Sequence, residues 1–148
     1  MKYINYFNEK YNYNIYKNDL NKSNISKELH EWLINWMWNI DHLRHFQNYG
    51  VTDIKELIPN VYEEMLKFRP KKEIEVYRVF DTIEEEIKSR KNKIISYTYD
   101  FDLALNMVDG DSYIHFRNVK PNEVLISTQN ILNKENIDLI PEIIIINK

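Results

Sequence analysis

The chain has 148 residues, no cysteine, and 20 basic side chains against 23 acidic ones for a formal charge of −3. That length predicts one domain with a single core. The balanced charge lacks the basic footprint of an ordinary nucleic-acid binder, and the absence of cysteine excludes disulfides, Cys-based zinc sites and thiol nucleophiles.

Hydrophobic residues make up 43% and aromatic ones 14%, enough for a packed core rather than a disordered tail. Two glycines are too few for a glycine-rich phosphate loop. The start, Met1-Lys2-Tyr3-Ile4-Asn5-Tyr6, is not a signal-peptide run, and no apolar stretch reaches membrane-spanning length. A soluble, intracellular, cytoplasmic protein is expected.

Residues 1–24, rich in Tyr, Asn and Lys, are expected to form a helix or extended arm that packs through Tyr3, Tyr6, Phe7 and Tyr11. Ser26, a suitable N-cap, precedes Leu29, Trp32, Leu33, Trp36, Met37, Ile40 and Leu43 at helical spacing. This predicts a helix over roughly 26–48, with Gly50 at its C-terminal cap. Thr52-Asp53 opens a second helix through Ile54, Leu57, Ile58, Val61, Met65 and Phe68, broken or kinked at Pro59 and stopped by Pro70.

Beyond residue 70 the runs Lys72–Phe80, Lys93–Tyr99, Ser112–Val119, Glu123–Thr128 and Glu142–Asn147 are rich in Ile, Val, Tyr and Phe and predict strands. Thr82-Ile83-Glu84-Glu85 starts a helix to Lys91 in the manner of a capping box. Asp100 caps a short helix with Phe101, Leu103, Ala104 and Met107, closed by Asp109-Gly110. The sum is a single α+β domain over 1–148, with a helical layer over 1–70 packed on a mostly antiparallel sheet over 71–148.

Three strand positions break their own pattern. In Ile74-Glu75-Val76-Tyr77-Arg78-Val79-Phe80, alternation sets Arg78 on the face of Ile74, Val76 and Phe80. In the next strand Ser96 and Thr98 share a face with Ile94, while Ile95 and Tyr97 point the other way. Glu142 is a lone carboxylate among isoleucines and is buried whichever face turns inward, which costs several kcal/mol unless it is paired or meets a ligand. Taken without further context, Arg78 and Glu142 also read as a structural ion pair.

The order Tyr77-Arg78, Ser96-Tyr97-Thr98, Pro141-Glu142-Ile143 resembles the mono-ADP-ribosyltransferase family, with its aromatic-Arg strand, Ser-Thr-Ser-like strand and late strand opening on Glu. The short helix after Ser96-Tyr97-Thr98, carrying Ala104, fits the same resemblance, which spans roughly residues 60–148. It implies a split antiparallel sheet and NAD as substrate, with no metal. Cleavage of the nicotinamide–ribose bond would pass ADP-ribose to a macromolecular acceptor, a protein before a nucleic acid.

By the same resemblance Glu142 is an ionised carboxylate that holds the ribose 2′-hydroxyl and stabilises an oxocarbenium-like transition state, Arg78 clamps the phosphates, and Ser96 positions Glu142. Thr98 supports the strand, and Tyr97, Tyr99, Phe80 and Phe101 are candidates for stacking on the ligand. Many members carry a second acid two residues before the Glu; Ile140 stands there, so arginine is disfavoured as the acceptor and another side chain, a base or water remains.

His42 and His45, with His30 or Asp41 nearby, lack a convincing third metal ligand. Trp32 and Trp36, at i and i+4, read as helix-packing core. The basic runs at 69–72 and 88–93 read as solvated loops, and His115 as structural. The abundance of Ile, Asn and Lys suits an AT-rich bacterial or phage genome, and hence a phage or mobile-element effector. A non-catalytic inhibitor or adaptor of the same fold is the alternative, and NAD hydrolysis without transfer a third.

Overall fold

The computed structural model describes residues 13–131 and 140–147. Its first helix, α1 (Tyr13–Asn21), buries Tyr16 and Leu20. The expected packing of Tyr3, Tyr6, Phe7 and Tyr11 lies outside the described residues. Ser26 caps α2 (Lys27–Trp38) by accepting from the Leu29 N–H at 3.1 Å, and α2 buries Leu29, Trp32, Leu33, Trp36 and Met37.

The expected helix over 26–48 is in fact two. Asn39 leaves helical geometry at φ −111° and ψ 105°, and its side chain accepts from the Asp41 and His42 N–H groups to start α3 (Ile40–Leu57). An apolar stripe that continues through Ile40 and Leu43 carries no trace of this break, because burial on one face does not depend on the backbone being continuous.

Gly50, by contrast, does end a helical run as expected: within α3 it leaves helical geometry at φ 69°, ψ −152°, a conformation that glycine adopts with least strain, and a second helical run continues beyond it to Leu57. A Cβ there would lie 2.7 Å from the Lys93 Cβ, and the Lys93 N–H donates to the Gln47 carbonyl at 2.6 Å. The kink therefore lets the helical layer close on the start of the central sheet. The expected break falls at Pro59, which begins a new helix, α4 (Pro59–Leu66), after α3 ends at Leu57.

The strands are β1 (Ile74–Phe80), β2 (Ile94–Tyr97), β3 (Tyr113–Val119), β4 (Val124–Ser127) and β5 (Ile143–Ile146). Helix α5 (Ile83–Ser89) is capped by Thr82, and α6 (Phe101–Met107) by Asp100, as the sequence predicts. Among the described residues β1 and β3 form an antiparallel ribbon, and β2-β5-β4 an antiparallel sheet with β5 in the centre. The two are joined where Tyr77 and Thr98 exchange backbone hydrogen bonds of 2.8 Å each. This is an α+β fold.

One face of the three-stranded sheet meets the helices, where Ile94, Ile126 and Ile144 join Leu29, Leu33, Trp36, Ile54 and Met65. The other meets the ribbon, where Ile95, Tyr97, Ile143 and Ile145 pack on Val76 and Val119. With both faces covered, β5 has no need of alternation, which accounts for its unbroken isoleucines. No helix among the described residues is long and apolar enough to cross a membrane.

Replacing Gly50 by alanine is expected to cost about 1–3 kcal/mol, since both the backbone well and the contact with Lys93 oppose a Cβ. A denaturant midpoint lowered without change in slope checks this.

Candidate active site

Strand alternation carries Ser96 onto the helical face of β2, opposite Ile144 in register, and Glu142 stands immediately before β5. Arg78 comes from β1, which the Tyr77–Thr98 bridge draws alongside β2. Side chains separated by up to 64 positions thus meet: Arg78 Nη1 donates to the Ser96 carbonyl at 2.6 Å, and the Ser96 hydroxyl donates to Glu142 Oε2 at 3.1 Å. Arg78 and Glu142 are thus both bonded to Ser96, the one through its backbone carbonyl and the other through its hydroxyl.

Arg78, Ser96 and Glu142 are all buried, Glu142 to 1% exposure. Burial lifts its carboxyl from an ordinary 4.5 to about 7, against the Ser96 hydrogen bond and the Arg78 charge, both of which favour the ionised form. Burial therefore opposes the ionised form that the resemblance implies for this carboxyl. Oε1 is buried without a hydrogen-bond partner among the described residues. A buried oxygen without a hydrogen-bond partner costs free energy.

The backbone of Glu142 is clamped by Thr128. The Thr128 hydroxyl donates to the Ile140 carbonyl at 2.6 Å and accepts from the Glu142 N–H at 3.0 Å, while its own N–H donates to the Glu142 carbonyl at 2.9 Å. Two further groups come from the helical layer. Trp36 Nε1 donates to the Ser96 hydroxyl at 2.7 Å. The Tyr16 phenol is fully buried, and desolvation, then the charge of Glu142, push its pKa up. Sequence reasoning missed all three. Trp36 alone carried a signal, since a buried indole N–H needs an acceptor; Thr128 and Tyr16 carried none.

The remaining candidates divide. Thr98 is buried and accepts from the Asp100 N–H at 3.1 Å, tying β2 to the cap of α6. The Phe80 ring lies under the Arg78 guanidinium at 5.5 Å. Phe101 is 47% exposed and meets Tyr77 edge-on at 5.2 Å. Tyr99 reaches the Thr128 hydroxyl at 3.3 Å.

Tyr97, by contrast, turns to the ribbon side, away from the Ser96 hydroxyl. Its own hydroxyl meets His115 Nδ1 at 2.9 Å in a cavity of ≈ 230 Å³ that Arg90 and Arg117 also line. Elsewhere, His45 pairs with Asp53 at 2.8 Å, and His42 packs against Trp32 and Phe46. No family model, curated protein or solved structure matches this chain.

The raised carboxyl pKa has a stability consequence of definite sign. Between pH 4.5 and about 7 the folded state binds the proton that the unfolded state has released, so this group's contribution falls as pH rises through that window. At about 1.4 kcal/mol per tenfold in the protonation constant, the lift amounts to roughly 3 kcal/mol above the window. Glu142→Gln, which keeps the shape and removes the charge, should therefore raise the denaturant-derived stability at pH 8 by up to about 3 kcal/mol and change it little at pH 4.

Proposed function

We propose that this chain is a mono-ADP-ribosyltransferase, with the split-sheet fold of that family, which cleaves NAD and passes ADP-ribose to a macromolecular acceptor. The observation that carries the reading is the linked set Arg78–Ser96–Glu142, drawn from three strands in the order that the resemblance implies. In the reaction the bond between ribose C1′ and the nicotinamide nitrogen breaks, and the bonding pair leaves with the ring and neutralises its charge. Positive charge appears on the sugar, where a fixed carboxylate is worth more in the transition state than in the ground state.

Glu142 Oε1 is the oxygen that accepts from the 2′-hydroxyl, and Oε2 is held by Ser96. The planar fork of Arg78 suits phosphate oxygens. Ile140, buried at 3% exposure, has no means of deprotonating an acceptor, which favours a nucleophile that needs no help from that position.

A second reading has its own support. Arg78 and Glu142 are so enclosed that they would equally tie three strands together in a non-catalytic inhibitor or adaptor. Thermal denaturation with millimolar NAD separates the two: a ligand that binds the native state raises the midpoint, and an unmoved midpoint favours the adaptor.

Incubation with labelled NAD and host lysate is expected to label a discrete band, and Glu142→Gln to reduce the rate by about 10² to 10³, the usual loss for a transition-state electrostatic group. Undiminished labelling by that variant would remove Glu142 from the chemistry. Because the ionised carboxylate is the working form, kcat/KM should fall as pH drops through about 7, the value to which burial lifts this group.

A further inference from the structure

A serine hydroxyl has one hydrogen to give and two lone pairs to offer, whereas an indole nitrogen is a donor only. With Trp36 Nε1 at 2.7 Å occupying a lone pair of Ser96, the serine hydrogen is directed to Glu142 Oε2, 3.1 Å away. The indole itself has little room to swing. Trp36 is 1% exposed and stacks on Trp32 at 5.3 Å with 9° between the planes, and Trp32 is in turn wedged against His42 and Phe46 of α3. The stack does not by itself require such a bond, since Trp32 Nε1 is buried with no hydrogen-bond partner among the described residues.

We propose that Trp36 is a positioning residue: its N–H locks the Ser96 hydroxyl as a donor to Oε2 of Glu142 and so leaves Oε1 as the oxygen presented to a substrate hydroxyl. In its catalytic consequence this rests on the transferase reading; in its hold on Glu142 it does not. Through Trp36 the helical layer becomes part of the site rather than its cover. The hydroxyl then favours the ionised carboxylate at all times, instead of only in those rotamers that happen to face it.

The deciding measurement needs no variant. In the wild-type chain, without NAD, the Trp36 indole proton and the Glu142 carboxyl carbon are followed by NMR from pH 5 to 9. The indole signal is expected to move with the carboxyl midpoint; an indole signal that stays flat while the carboxyl titrates overturns the proposal. In Trp36→Phe the carboxyl midpoint should rise by roughly half a pH unit or more, because the freed hydroxyl no longer favours the anion full-time. With the transferase active, kcat should fall about 3- to 10-fold while KM for NAD stays within about twofold.

In a Ser96→Ala background the same Trp36→Phe change should add no further shift, as expected of a residue that acts through Ser96. An unmoved midpoint in the single variant, or additive shifts in the double one, would refute it. If the wild-type chain neither binds nor consumes NAD, the transferase reading fails, and the two titrations still decide whether Trp36 governs Glu142.

Discussion

A carboxylate placed at the entrance of an isoleucine strand, 1% exposed, is the constraint from which much of this molecule follows. Removing such a charge from water is expensive, and the fold answers only in part. Ser96 supplies one hydrogen bond, Arg78 supplies a favourable field, and one oxygen goes without a partner among the described residues. A protein built for stability alone would do better with an apolar residue there. Burial holds this carboxyl well above the ordinary carboxylate range, against the pull of Ser96 and Arg78 toward the ionised form.

The arrangement depends on register. Ser96 faces Ile144 across the β2–β5 pairing, and a slip of one residue would send its hydroxyl to the ribbon side, among Val76 and Val119. The Tyr77–Thr98 bridge is as important, because among the described residues it ties the ribbon to the central sheet in backbone hydrogen bonds and so sets the reach of Arg78. Thr128 fixes the third strand by holding both backbone polar groups of Glu142. The helical layer adds the Trp36 N–H, and separately the kink at Gly50 lets α3 approach Lys93.

Much of this architecture is readable along the chain. The caps at Ser26, Thr82 and Asp100 fall where short polar side chains precede apolar runs, and each accepts the hydrogen bond that its position predicts. The strands begin and end within a few residues of their apolar runs. The break at Asn39 escaped notice because hydrophobic spacing is continuous across it, although an Asn just before Ile40-Asp41 is itself a capping signal. Gly50 is legible as the glycine that ends an apolar helical run, whereas its close approach to Lys93, 43 positions away, is not.

Local chemistry along the chain determined the α+β class, the burial of Glu142, the placing of Arg78 and Ser96 on faces shared with apolar residues, and the separation of Tyr97 from Ser96, because periodicity and burial cost act over a few residues. It could not determine that Ser96 would be bonded to both Arg78 and Glu142, that Trp36 would supply its N–H, or that Thr128 would clamp Glu142. Those are contacts at separations of 14 to 60 residues, decided only when strand pairing and helix packing bring remote atoms within hydrogen-bond distance.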